Sequence, residues 1–205
     1  MELLEKQTML GKEKFYKLKF LKTIPIVLII ILLNSNSFSS PKEEIIMNLN
    51  KTSNFSFDFI QKIQDEIEVG FCQIKYPRLI HCLYDNKKKK EIISTGKSLV
   101  IRNNRDNKFW IYPLKSTPLY YILDKNYLIK QIQSLENLKI RDNIFELNFT
   151  QKDFLIVVYF DNKSFDLKGW KTTDIYQNEV KFEVKNIKKN LIINDKKKFK
   201  LPNLD

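Results

Sequence analysis

Histidine, glycine and cysteine are scarce in this chain of 205 residues, which holds one histidine (His81), four glycines and two cysteines. Several chemistries lose their parts at once. No Gly-rich loop is present to cradle a phosphate, no Cys/His/carboxylate spacing matches a metal site, and no Ser or Cys stands beside a plausible base. Two thiols and His81 make three zinc ligands at most, whereas a structural zinc takes four. Asp65, Glu66 and Asp153 fall near turns or strand ends, where carboxylates are ordinarily solvated. The chain therefore reads as a non-enzyme that uses neither cofactor nor metal.

Arginine is rare too. A formal net charge of +12 rests on lysine, with Arg78, Arg102, Arg105 and Arg141 the only guanidinium groups. Base and phosphate recognition favours the bidentate fork of Arg, so the charge does not argue for a nucleic-acid partner. The KKKK run at 87–90 lies between strand-like segments, where a solvated turn is the default. Guiding the protein to an anionic membrane or a transporter is a use this charge could still have.

Long apolar runs are also missing. The longest, Ile24–Leu33, has ten residues, about half of the roughly twenty that a spanning helix needs. Lys6, Lys12, Lys14, Lys17, Lys19 and Lys22 precede it, and Ser37 and Ser39 follow with small side chains. This is the order of a secretory signal, with cleavage before Ser40. Residues 1–39 are thus expected to be removed, taking a charge of +3 and leaving +9 on residues 40–205. No cysteine follows the apolar run closely enough for lipidation at this site. The expected destination is the periplasm, an oxidising compartment. With only Gly70, Gly96 and Gly169 in residues 40–205 and no Pro-rich stretch, nothing divides that part, and it reads as one domain.

What is abundant is the material of sheets. Segments 55–59, 66–75, 79–84, 91–94, 98–102, 108–114, 144–149, 154–160, 165–172, 179–187 and 191–194 are rich in aromatic and β-branched residues, many in alternation. Polar turns such as DNKKKKE, NNRDN and FDNKSFD join them, which predicts a mainly β, largely antiparallel meander. Helical signals are few. Ser40-Pro41-Lys42-Glu43 has capping-box spacing ahead of Ile45, Ile46 and Leu49, and Thr117-Pro118 opens LYYILDKNYLIKQI in the same way. A sheet of about ten strands must curl into a barrel or trough, and two or three helices would cover its open face.

Both cysteines lie in FCQIKYPRLIHC, which reads as a hairpin around Pro77. If Lys75 pairs with Leu79, Cys72 falls opposite Cys82, on one face with Ile74 and Ile80. An even cysteine count in an exported chain favours a Cys72–Cys82 disulfide; two reduced thiols acting as small core hydrophobes are the alternative.

Along the chain stand, in order, NFSFDFIQ, GFCQIKYP, STGKSLVI, PLKSTPLYYIL and KFKLP. This order of landmarks resembles the LolA-type outer-membrane lipoprotein carriers, which have a Phe-rich entry strand, a Gly-x-x-x-x-Lys-Arg-Pro hairpin, an Asp-Gly-Lys turn, a Thr-Pro helix start and a closing Phe-x-Phe-x-Pro. The resemblance implies an incomplete antiparallel β-barrel with short helices as a lid over a hydrophobic cavity. It implies, as cargo, triacylated lipoproteins released by an inner-membrane LolCDE-type ABC transporter and passed to a LolB-type acceptor, with the carrier a monomer. The same trough and lid would serve a general periplasmic lipid binder. On strand parity the acyl-chain cavity is expected to be lined by Cys72, Ile74, Ile80, Cys82, Tyr84, Leu99, Ile101, Leu119, Ile122 and Leu123. The family has a basic residue before the hairpin proline, implied to latch the lid when the cavity is empty. Tyr76 stands at that position, with Arg78 two residues on as the candidate substitute.

Overall fold

The computed structural model describes residues 39–174, 178–193 and 198–200. The expected signal segment lies outside the described residues, Ser39 apart. Helix α1 (Pro41–Lys51) starts as its capping box requires: Ser40 Oγ accepts from the Glu43 N–H, and Glu43 Oε2 accepts from the Ser40 N–H. Its apolar stripe buries Ile45 and Leu49.

Eleven strands follow: β1 (Asn54–Ile63), β2 (Glu66–Lys75), β3 (Leu79–Tyr84), β4 (Lys90–Thr95), β5 (Ser98–Asn103), β6 (Lys108–Pro113), β7 (Lys139–Arg141), β8 (Ile144–Gln151), β9 (Phe154–Asp161), β10 (Leu167–Thr173) and β11 (Glu179–Lys189). Between β6 and β7 come helices α2 (Leu119–Ile122) and α3 (Lys125–Ser134). All strands join one antiparallel sheet in the order β6-β5-β4-β3-β2-β1-β11-β10-β9-β8-β7, so β1 pairs with β11 and links the two meanders. The sheet does not close, because β6 and β7 remain separate edges. Among the described residues the fold is mainly β with three short α-helices, as the alternation predicts.

Three local readings need correction. The segment after Thr117-Pro118 is two helices, because the Asp124 carboxylate accepts from the Asn126 and Tyr127 N–H groups and so starts a new one. Residues 191–193 form no strand; Leu191 N–H instead donates to the Asn54 side chain. The short strand β7 was not legible, since KIR carries no pattern of its own.

Alternation sends one face of the sheet inward. Phe55, Phe57 and Phe59 of β1 are buried there. Around them runs an aromatic row: Tyr84 and Phe59 (4.8 Å between centroids), Phe59 and Phe182 (4.7 Å), Phe182 and Trp170 (4.1 Å). Gly70 makes the row possible. It sits between Phe59 and Tyr84 in the register, and a Cβ there would stand 2.1 Å from the Leu83 carbonyl oxygen and 2.8 Å from the Phe59 ring.

The hairpin register is Lys75 with Leu79 and Cys72 with Cys82, and the two sulfurs are bonded. The bridge spans ten residues of sequence, so replacing both cysteines by Val and Ala should lower unfolding free energy by about 2–3 kcal/mol through the freed unfolded chain. Urea titration with and without reductant measures this. Equal midpoints would show that the hairpin needs no staple.

Candidate binding cavity

Side chains from β6 and β9 meet in one cavity, although eight strand-to-strand steps separate them. In a flat sheet that is about 38 Å. The sheet therefore curls, and the cavity of about 510 Å³ lies inside the curl. Its wall is formed by Ile80, Cys82 and Tyr84 on β3, Ile92 on β4, Leu99 and Ile101 on β5, Tyr112 on β6, Phe154 on β9, Trp170 on β10, and Val180 and Phe182 on β11. Leu119 of α2 and the segment Ser116–Pro118 close it from the helical side.

Six of the expected lining residues meet here: Ile80, Cys82, Tyr84, Leu99, Ile101 and Leu119. Cys72, Ile74, Ile122 and Leu123 do not line it and are buried in the packed core instead. Parity puts Cys72 and Ile74 on the inner face, opposite Phe57 and Phe55, but at that level the curl is filled by side chains. Phe182 and Trp170, like Tyr112 and Phe154, are aromatic lining groups that sequence reasoning missed. Their alternation marks them as inward; only the β1–β11 pairing brings them opposite β3 and β5.

Polar groups are set into the sheet side of this wall as well. The Tyr84 hydroxyl donates to Gln61 Oε1 at 2.5 Å. Burial pushes the Tyr84 hydroxyl well above the usual tyrosine range, with the Glu68 carboxylate adding to it, so it stays a neutral donor. Lys90, paired with Glu68, lies 3.9 Å over the Tyr84 ring. Thr172, Thr173 and Asp174 also line the cavity, Asp174 accepting from Asn178. The wall as a whole is mostly apolar, with these hydroxyl, amide and carboxylate groups set into it.

The hairpin turn is tied to the break between α2 and α3. Arg78 takes a left-handed backbone conformation (φ 65°), which breaks strand alternation and turns its side chain toward the helices. Its guanidinium reaches the Asp124 carboxylate at 2.5 Å and lies 3.9 Å from the Tyr120 ring centroid. Its N–H donates to the Leu123 carbonyl at 2.7 Å, and its own carbonyl accepts from Ser94 Oγ at 2.7 Å. Tyr76, by contrast, is a core ring, 5.8 Å from Phe55, and burial with the nearby Asp124 charge raises its hydroxyl far above the usual range. His81 faces away from the cavity side chains of β3 and meets Glu91 at 2.6 Å; that bond holds the Glu91 carboxyl below its ordinary value.

Three comparisons bear on kinship. The family model for "Outer membrane lipoprotein carrier protein LolA" matches residues 50–202. No curated protein matches the chain. Among solved structures, an uncharacterized conserved protein from Thermus thermophilus is similar at 12% identity over 78% of this chain and 93% of its own, with a TM-score of 0.48. A LolA superfamily protein from Nitrosomonas europaea is similar at 7% identity over 79% and 99%, TM-score 0.43. An outer membrane lipoprotein-sorting protein domain from Vibrio parahaemolyticus is similar at 8% identity over 75% and 94%, TM-score 0.39.

Proposed function

Because this chain belongs to the LolA family of outer membrane lipoprotein carrier proteins, we propose that it is a periplasmic carrier, exported by residues 1–39. It shields the acyl chains of lipoproteins released from the inner membrane by a LolCDE-type transporter and passes them to a LolB-type acceptor. The observation that carries this reading is the apolar cavity between the curled sheet and α2. Each methylene taken out of water contributes about 0.8 kcal/mol, so three chains with on the order of forty methylenes cannot cross water unshielded. No covalent step is involved.

Leu119 and Ser116–Pro118 close the cavity on the helical side, so cargo enters when the helices move outward. Arg78 opposes such a movement, beside Lys125 bonded to the Thr52 carbonyl and Tyr127 bonded to Gln151, and takes the role the family assigns to the basic residue before the proline. Arg78→Gln should lower the stability of the empty protein by about 1–2 kcal/mol and speed loading of a fluorescent fatty acid. Stopped-flow mixing measures the second effect, and an unchanged loading rate would remove Arg78 from the latch.

The carrier role is tested by adding the purified protein to spheroplasts that make a labelled outer-membrane lipoprotein. A soluble one-to-one complex is expected. If the lipoprotein stays on the membrane while a competent control carrier releases it, the general lipid binder takes over. Mass spectrometry of co-purifying ligands would then identify the guest.

A further inference from the structure

The two edges of the sheet are treated differently. β7 is three residues long and carries Lys139 and Arg141, a short charged edge of the kind that discourages pairing. β6 is six residues long, every one of them exposed, and it reads Phe109-Trp110-Ile111-Tyr112 through its middle. Its backbone is available as well. Leu114 N–H bonds to the Lys97 carbonyl, and the unbroken register from there makes 99–112 and 101–110 the hydrogen-bonded pairs. The N–H and C=O groups of Phe109 and Ile111 therefore point to the open edge. Pro113, which has no N–H, falls at the next outward position.

β6 also adjoins the cavity. Tyr112 lines it, and Trp110 and Tyr112 share the inner face with their partners Ile101 and Leu99. At the other end of β6 the β3–β4 and β5–β6 turns touch, through Arg105 N–H to the Lys88 carbonyl and the Asn104 side chain to the Lys89 carbonyl. This gathers Lys87, Lys88, Lys89, Arg105 and Lys108 against Asp85 and Asp106, the latter held by Asn103. A bilayer would leave the edge amides unsatisfied in hydrocarbon. An extended peptide satisfies them.

We propose that β6 is the docking edge for the polypeptide attached to the acyl group: the segment following the acylated residue adds as a twelfth strand, antiparallel to β6. Its acyl chain enters beside Tyr112, and its first few residues run past Ile111 and Phe109 toward the lysines. The favoured cargo thus carries acidic side chains within about five residues of the lipid, since a strand advances about 3.4 Å per residue. This rests on the carrier reading.

The test compares palmitic acid, an N-palmitoylated acidic hexapeptide and the same peptide without the acyl chain, using purified protein and amide hydrogen exchange. The acylated peptide should bind about tenfold more tightly than palmitic acid and protect the Phe109 and Ile111 amides, which palmitic acid leaves exchanging. Ile111→Pro should abolish that gain and keep palmitic acid binding. Should this variant fold poorly, reversing Arg105 and Lys108 to Glu should weaken the acidic lipopeptide and favour a lysine-bearing one. Equal affinity for palmitic acid and lipopeptide, without protection, overturns the edge proposal and leaves the carrier reading intact. Binding of neither overturns both. Protection that rises with protein concentration alone assigns the edge to a second copy and overturns the proposal.

Discussion

Ile101→Glu is expected to reduce fatty-acid affinity by at least about a hundredfold while the protein stays folded. Ile101 lines the cavity but is only partly buried, so in the empty protein a carboxylate there can remain hydrated. A bound chain would strip that water. Displacing only three or four methylenes from the wall, at about 0.8 kcal/mol each, forfeits roughly 3 kcal/mol, and every 1.4 kcal/mol is a factor of ten. Leaving the carboxylate dry would cost more still. Displacement of a fluorescent fatty acid, with circular dichroism as the check on folding, measures the effect. Unchanged affinity in a folded variant would move the acyl site elsewhere.

The second large effect concerns Gly70. Gly70→Ala should cost at least about 3 kcal/mol, a large share of the 5–15 kcal/mol typical of a domain. The added Cβ would meet the Leu83 carbonyl oxygen at 2.1 Å, and backbone in the middle of a sheet cannot yield as a side-chain tip can. It would also displace the Phe59 ring and with it the row from Tyr84 to Trp170. Gly96→Ala is the control. Its φ of +87° strains any other residue, but the nearest atom to an added Cβ is 3.8 Å away, so the loss should be about 1 kcal/mol. Urea denaturation separates the two. Equal losses would mean that β3 gives way easily and that close approach is not why glycine stands at 70.

The difference between these glycines could not be read from the chain. Gly70 interrupts the strand-like segment 66–75 and Gly96 lies in the turn between 91–94 and 98–102, but only pairing on both sides of β2 shows that Gly70 faces a carbonyl. Tyr76 and Arg78 teach the same lesson. Each is a plausible latch by type and spacing, and the left-handed turn at Arg78 aims the charge at Asp124 while Tyr76 is drawn into the core. The break at Asp124 was legible in principle, since Asp is a strong N-cap, but an unbroken apolar period masks it.

By itself the sequence determined what local physics controls. Alternation settled the mainly β class, the capping box set the start of α1, and the Pro77 hairpin set the register that makes Cys72 face Cys82. Parity also decided which side chains face inward. Tertiary structure decided which of those meet empty space: Ile80, Leu99 and Ile101 do, and Cys72, Ile74, Ile122 and Leu123 do not. The reason is that facing inward depends on the next residue, whereas lining a cavity depends on where distant elements stop. Pairing of β1 with β11 curls the sheet, and α2 and α3 fill only part of the curl; neither distance is written in any short stretch of chain.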